Sequence, residues 1–366
     1  MAKQPEDEEV QNVEEDYTAF SKRQRWLIII LLGIAMLASP LTATMYLPLL
    51  PLLATEFHTS LQAINLTITV YVIFQALSPV LLSSPSDHFG RRPFYLFTFA
   101  LYVVANLGLA LNKSNYGLLI FLRAIQSLGA SAVLSMSYGT VADITVHSER
   151  GKMLGPMLAA GNLGTCIGPI FGGLIAYKSG GFVWAFCALF AFGVTMLLAL
   201  DISLPETARN VVGNGNVEDK KWNQPWWKLM SGRSRSPASS TEKTSSAKSD
   251  ALPKRSLKFS NTFKFLRIVF YKDCFLNLWI SSSFYALWYC VQASIPSTFS
   301  SVPYSFSEIQ VGLSYLPGTI GVIGCMYLSG KILDRNYALT AEKIDFTIDK
   351  KSGDDVAKFP IELTTS

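Results

Sequence analysis

The sequence predicts an all-α membrane protein that crosses the bilayer several times. Half of its 366 residues are hydrophobic and the mean hydropathy is +0.30, a composition typical of polytopic membrane proteins. The apolar residues are gathered into eight stretches, each long enough to cross a bilayer as a helix. In chain order these spans are residues 26–48, 61–82, 94–111, 116–140, 153–177, 181–202, 274–296 and 307–329.

The basic residues predict how the chain is oriented in the membrane. The segments after spans 1, 3, 5 and 7 contain only Lys113 and Lys178. Arg123 lies inside the fourth span, and every other Lys and Arg lies in a terminal tail or after spans 2, 4 and 6. Because basic loops stay on the cytoplasmic side, we expect both termini in the cytoplasm.

The spans divide the chain into five segments. We expect a cytoplasmic tail, a six-helix transmembrane half, a cytoplasmic central loop, two further transmembrane helices and a second cytoplasmic tail. Their ranges are 1–25, 26–204, 205–273, 274–330 and 331–366. The middle of the central loop is rich in Ser, Thr and Lys, so it cannot bury enough apolar surface to fold and we expect it to be disordered.

Glycine and proline are concentrated in the fifth span. They form a G-x-x-x-G-P-x-x-G-G series that one further glycine extends. The series consists of Gly161, Gly164, Gly168, Pro169, Gly172 and Gly173. In a soluble helix each glycine costs up to about 1 kcal/mol and an interior proline about 3 kcal/mol. In a membrane helix the same residues provide a close packing face and a bend.

Charged motifs mark two other places in the sequence. Two similar motifs close the second and eighth spans, which indicates a repeated unit. Their residues are Asp87, Gly90, Arg91 and Arg92 in the first, and Gly330, Asp334 and Arg335 in the second. The fourth span contains Arg123 and Gln126, and a charged residue inside a membrane is a functional candidate. Alternatively, Arg123 reaches the outer surface, which is about two turns away.

Together these motifs resemble the major facilitator superfamily, specifically the twelve-helix fungal drug:proton antiporters. The glycine–proline series is similar to the antiporter signature of the fifth helix. The motif at Asp87 is similar to the family's loop between helices 2 and 3, although Ser83 stands where the family has glycine. The pair Arg123 and Gln126 is similar to a motif of helix 4. The order and spacing resemble the quinidine-resistance branch.

The resemblance implies a major facilitator fold with a complete N-terminal six-helix half and two helices of the C-terminal half. It implies a multi-pass protein of the plasma membrane that exports small organic molecules or drugs in exchange for protons. Proton coupling is implied for Asp87, Arg123 and Gln126. The resemblance also implies that the other residues of the two charged motifs take part in the conformational change of the protein. It implies that the glycine–proline series supports antiport.

The resemblance also implies a substrate cavity lined by spans 1, 4 and 7. The candidates there are Thr42, Tyr46, Trp288, Tyr289 and Gln292. An aromatic cavity suits flat lipophilic cations, because a cation is attracted to the face of an aromatic ring.

An alternative concerns the length of the chain, because the family has twelve helices and the sequence is polar after residue 331. In this alternative the chain is a truncated, transport-inactive member that lacks the last four helices. It is then inert or acts by pairing with a full-length relative, and Arg123 faces lipid or water.

Other classes of function lack support in the sequence. The five cysteines are not at metal-ligand spacing, so we expect no metal site and no disulfide framework. We see no residue set for covalent catalysis or phosphate binding, so we expect no enzyme and no cofactor. The expected partners are a small organic substrate, protons and the lipid bilayer, and we expect no nucleic acid.

Overall fold

The computed structural model describes residues 20–145, 147–208, 211, 269–318, 320, 321, 324, 328 and 335. Every regular element among these residues is helical. The helices are α1 (Lys22–Met36), α2 (Ala38–Met45), α3 (Leu50–Glu56), α4 (Leu61–Phe89), α5 (Arg91–Leu111), α6 (Tyr116–Ile144), α7 (His147–Ser179), α8 (Val183–Ser203), α9 (Lys272–Ser300) and α10 (Glu308–Leu313).

The prediction of a multi-pass helical membrane protein is confirmed. Within the described residues, seven helical segments are long and apolar enough to cross a membrane. The first combines α1 to α3, the next five correspond to α4 to α8, and the last is α9. The eighth predicted span begins as α10, and part of it lies outside the described residues, as do the middle of the central loop and the C-terminal tail.

The first span is longer than predicted and is not one continuous helix. The sequence predicts a helix over 26–48, whereas α1, α2, a 3-10 turn (Leu47–Leu49) and α3 follow one another from Lys22 to Glu56. Proline residues explain the breaks, because proline lacks the N–H that an unbroken helix needs. Pro48 and Pro51 each lie in the first turn of a new element, where a missing N–H costs nothing.

The second and third spans are also longer than predicted, and no loop separates them. α4 continues through Pro79 and Pro85 to Phe89, and Gly90 alone links it to α5. Asp87 therefore lies in the last turn of α4 instead of in a loop, and Arg91 begins α5. Prolines are tolerated inside α4 because neighbouring groups in a membrane bundle can satisfy the freed carbonyls.

The six predicted spans of the N-terminal half pack together as one bundle. α6 lies against α4 and α5, α5 lies against α8, and α7 lies against α1 and α2. Large side chains such as Phe99 and Phe186 fill the centre. Others on the outside, such as Phe121 and Leu198, are 60% and 55% exposed, which suits contact with lipid.

Candidate functional site

Arg123 lies in the interior of the helical bundle. Its side chain projects from α6, and only 1% of the residue is exposed. The centre of its guanidinium lies 4.0 Å from the ring centroid of Tyr46 and 4.4 Å from that of Tyr71. A cation over two aromatic faces gains about 2 kcal/mol or more per contact when it is desolvated. The alternatives in which Arg123 reaches the membrane surface or faces lipid or water are therefore wrong.

A chain of hydrogen bonds fixes one side of the guanidinium. Nη1 of Arg123 donates to Oε1 of Gln126 at 2.7 Å, and Nε2 of Gln126 donates to Oδ1 of Asn106 at 2.7 Å. Nδ2 of Asn106 in turn donates to the carbonyl oxygen of Tyr102 at 2.7 Å. These side chains are all fully buried, so the chain ties Arg123 on α6 rigidly to α5.

The other edge of the guanidinium has no hydrogen-bond partner within the part of the chain that the structure describes. Nε and Nη2 of Arg123 are buried and make no hydrogen bond. No carboxylate among the described residues forms an ion pair with Arg123. Two more unpartnered polar atoms lie on α9, namely the hydroxyl of Tyr289 and Oε1 of Gln292. Buried polar atoms without partners are rare in folded proteins and call for an explanation.

Tyrosine and threonine hydroxyls connect the helices around Arg123. The hydroxyl of Tyr46 lies 2.8 Å from Oγ1 of Thr67, and Oγ1 of Thr42 lies 2.7 Å from the hydroxyl of Tyr102. The hydroxyl of Tyr71 donates to the carbonyl oxygen of Ser39 at 3.0 Å. Thr42 and Tyr46, which were predicted to line the substrate cavity, are thus enclosed and hydrogen-bonded.

A cavity of about 400 Å³ lies between the helices next to this network. Its polar lining includes Ser39, Gln75, Ser131 and Asn162, and its aromatic lining includes Trp288. The hydroxyl of Ser39 lies 3.0 Å from that of Ser131 and accepts a hydrogen bond from Gln75 at 3.1 Å. No charged side chain lines the cavity.

Among the five predicted cavity residues, Trp288 lines this cavity. The other four, Thr42, Tyr46, Tyr289 and Gln292, do not line it. Ser39 connects the two regions, because it borders the cavity and also binds Tyr71, which lies beneath Arg123. The assignment of these five residues to a substrate cavity stays a prediction.

The charged motif at the end of α4 forms ion pairs within the N-terminal half. Arg91 lies 2.8 Å from Asp87 and 2.6 Å from Asp143 on α6. Arg92 lies 2.7 Å from Asp201 near the end of α8. The three helices α4, α6 and α8 are thereby joined to the first turn of α5 at the predicted cytoplasmic side.

Glu206 completes this charged cluster. It is 2% exposed, and its carboxylate accepts hydrogen bonds from the backbone N–H groups of Arg91 and Arg92 at 2.8 and 3.2 Å. Thr207 and Ala208 donate to the same carboxylate at 3.0 and 2.9 Å. Glu206 therefore caps the N-terminus of α5, where a negative charge is favourable.

Gly90 allows Glu206 to approach so closely. Its φ angle is +111°, and a Cβ at this position would come within 2.5 Å of Oε2 of Glu206. Our sequence analysis missed Asp143, Asp201 and Glu206 as members of the cluster. The signal for Glu206 was its position directly after the end of the sixth span.

The glycine series of α7 packs against the broken first span. A Cβ on Gly164 would lie 3.0 Å from the backbone of Leu37, and one on Gly168 or Gly172 would collide with Thr44 or Met45. Gly161 lies next to Met36, and Gly173 is buried. Small residues let the two helices approach closely, as the spacing predicts.

The opposite side of the series meets α10. A Cβ on Gly312 would lie 2.8 Å from the carbonyl oxygen of Pro169, so the α10 backbone packs directly on the proline. Of the second charged motif, Gly330 and Asp334 lie outside the described residues, and Arg335 is exposed.

A charged side chain enclosed by long apolar helices is typical of membrane proteins that have an ion or substrate pathway. Residues 32–343 match the Major Facilitator Superfamily. The chain therefore belongs to the major facilitator superfamily, and it is a transporter-family protein and not an enzyme.

Curated relatives come from fungi. The MFS-type transporter phiD of Fungal sp. is 34% identical over 346 residues, covering 94% of this chain and 51% of its own. Citrate exporter 1 of Aspergillus niger is 34% identical over 325 residues, covering 88% and 59%. The MFS antiporter QDR2 of Candida albicans is 31% identical over 369 residues, covering 99% and 70%.

These relatives confirm the resemblance to fungal drug antiporters and their quinidine-resistance branch. The chain spans about half the length of the first curated relatives it matches.

Proposed function

We propose that this protein is a proton-coupled antiporter that exports small organic molecules. The observation that carries the proposal is the buried cation Arg123, which is held by Gln126 on one edge and has no hydrogen-bond partner among the described residues on the other. A charge inside a membrane bundle is costly and is kept where it serves transport. Relatives named as an exporter and an antiporter support the same activity.

Arg123 is proposed to couple substrate and proton through its fixed charge. A guanidinium keeps its proton under all ordinary conditions, so Arg123 does not carry the transported proton itself. Its field disfavours a second positive charge nearby and favours a negative one. Binding of a proton and binding of a substrate in the adjacent space therefore influence each other, and this mutual effect is the thermodynamic basis of coupled exchange.

The charged cluster at the start of α5 is proposed to act in the conformational change. Asp87, Arg91 and Arg92 hold the ends of four helices together, and Glu206 fixes the chain that follows α8. Alternating access moves one half largely as a rigid body against the other, and these contacts keep the helix ends of the N-terminal half together during that movement. The glycine face of α7 is proposed to let that helix shift against α2 without large side chains in the way.

The protein is proposed to lie in the plasma membrane with both termini in the cytoplasm. The distribution of Lys and Arg supports this orientation. Fluorescence microscopy of a fusion in a fungal host, combined with protease protection of tags at both ends, tests the location and the orientation. An externally accessible C-terminal tag contradicts the orientation.

Reconstitution tests the transport activity. The purified chain is inserted into liposomes containing a pH-sensitive dye, a pH gradient is imposed, and quinidine or citrate is added. We expect substrate-dependent proton flux in the wild type and none with Arg123→Gln or in empty liposomes. Absence of flux with correct insertion contradicts antiport by this chain and favours the transport-inactive alternative.

A further inference from the structure

The two unpartnered nitrogens of Arg123 lie on the same edge of the guanidinium. Nη1 donates to Gln126, while Nε and Nη2 make no hydrogen bond. In the planar guanidinium the Nε–H and the adjacent N–H of Nη2 point in the same direction and form a fork. This fork matches the two oxygens of a carboxylate and binds them with two parallel hydrogen bonds.

The described surroundings of Arg123 contain no negative charge to satisfy this fork. Among the described residues, the groups that interact with it electrostatically are the tyrosines Tyr46, Tyr71, Tyr102 and Tyr289. The neighbouring cavity has no charged lining. A buried charge without a counter-ion is destabilising, so the site favours an anionic ligand over a neutral one and disfavours a cation.

The aromatic rings at this site are not available to a cationic substrate. The faces of Tyr46 and Tyr71 are already covered by the guanidinium at 4.0 and 4.4 Å. The expectation that aromatic residues here suit flat lipophilic cations therefore does not hold for these two tyrosines. A second cation over the same rings would also be repelled by Arg123.

Tyr289 provides a second, independent sign of a missing ligand. Its hydroxyl belongs to α9, is buried and makes no hydrogen bond. The same helix contributes Trp288 to the lining of the neighbouring cavity. A hydroxyl can donate to an oxygen anion held by Arg123, so one ligand would satisfy donors from α6 and α9 together. The ligand would thus join the N-terminal bundle to the seventh span.

We propose that the Nε and Nη2 edge of Arg123, assisted by the hydroxyl of Tyr289, binds a carboxylate group of the transported molecule. The substrates are then organic anions, and this inference deepens the proposed export function. The uncharged remainder of the molecule extends toward the cavity of about 400 Å³, which Ser39 borders although Arg123 itself does not line it. The mixed polar and aromatic lining of this cavity, including Trp288, is suitable for a small organic body.

Binding of three matched probes tests the proposal without requiring transport. Benzoate, benzamide and benzylamine share a ring and differ in charge, and hexanoate serves as a carboxylate without a ring. Binding of each to the purified full chain in lipid nanodiscs is measured by calorimetry at neutral pH. We expect benzoate or hexanoate to bind at least about tenfold more tightly than benzamide and benzylamine, as a charge-assisted pair predicts.

Variants identify the group responsible. Arg123→Gln is expected to remove the preference for the carboxylate, and Arg123→Lys to weaken it because lysine lacks the fork. Gln126→Glu places a carboxylate beside the guanidinium and is expected to weaken benzoate binding at least fivefold, although Arg123 is retained. Tyr289→Phe is expected to weaken binding several-fold, while the matched change at exposed Tyr304 leaves binding unchanged.

The outcomes separate this inference from the proposed antiport. Proton-coupled flux of a cation with no preference for carboxylates overturns the carboxylate site and leaves antiport intact. Carboxylate binding that depends on Arg123, without any proton-coupled flux, supports the site and contradicts antiport. If Arg123→Gln does not fold, the proposal is still tested by the relative affinities of the probes for the wild type and by the affinity of Tyr289→Phe for benzoate. Equal or tighter binding of benzamide, or no binding of either carboxylate, overturns the proposal.

Discussion

Replacement of Glu206 by glutamine tests how the end of the sixth span is attached to the bundle. In the structure one carboxylate accepts four backbone N–H groups, two from the first turn of α5 and two from residues 207 and 208. Glutamine has nearly the same shape but carries no charge, and it has one accepting oxygen instead of two. Its NH2 group would face the N–H of Arg92, a donor against a donor.

The cost of Glu206→Gln follows from two losses. A negative charge at a helix N-terminus contributes about 0.3–1 kcal/mol, and up to about 2 kcal/mol when partly buried. A hydrogen bond to a charged group contributes about 1.5–3 kcal/mol, compared with about 1 kcal/mol for a neutral pair. Glu206 is 2% exposed, so we expect a destabilisation of about 2–3 kcal/mol.

Thermal unfolding of the purified protein in detergent measures this loss. An unfolding entropy of about 2.1 cal/mol/K per residue converts a destabilisation of about 2–3 kcal/mol into a Tm that is roughly 3–4 °C lower in a chain of 366 residues. Glu56→Gln is the matched control, because Glu56 is exposed at the end of α3, and we expect its Tm to change by less than about 1 °C. A Tm for Glu206→Gln equal to that of the control would refute the capping role.

Three further substitutions test other contacts of the structure. Gly168→Ala inserts a methyl group that collides with Thr44 across the α7 and α2 contact, and we expect it to lower stability by about 1–3 kcal/mol. Gly155→Ala on the same helix is the matched control, because its added methyl group meets nothing within 4 Å, and it is expected to be neutral or stabilising by up to about 1 kcal/mol. If both variants change the Tm equally, the packing face is contradicted. Gln126→Leu removes the hydrogen-bond partner of Arg123, and we expect a loss of about 1–3 kcal/mol, measured as a reduced Tm; an unchanged Tm contradicts the network. Gly90→Ala is expected to lower the Tm, because alanine is strained at a φ of +111° and its methyl group crowds the carboxylate of Glu206. An increased Tm contradicts this geometry.

Several features of this fold are encoded locally in the sequence. Apolar stretches of spanning length predicted the membrane helices, because a bilayer requires about twenty apolar residues in each crossing helix. The glycine spacing in the fifth span predicted a packing face, and α2 lies against that face in the structure. These features depend on residues that are close together in the chain, so a pattern within one segment is enough to reveal them.

The candidate site depends on residues that are distant in the chain. Arg123 and Gln126 were identified in the sequence because charged and amide groups are conspicuous inside an apolar span. Asn106 and Tyr71 were not identified, because their roles arise only when α5 and α4 are placed beside α6. The breaks in the first span were underestimated for a similar reason, since the 3-10 turn packs on α7 and α3 packs on α4.

The sequence by itself determined that this protein is a multi-pass helical membrane protein that resembles the major facilitator superfamily, with a charged residue in its fourth span. Only the tertiary structure decided that Arg123 is enclosed by tyrosines, held on one edge and open on the other. The physical reason is that hydropathy and residue spacing indicate whether a segment crosses a membrane and which of its faces packs. The free edge of a guanidinium instead depends on which side chains from other helices reach it. The same reason explains Glu206, which acts on α5 across more than a hundred residues of chain.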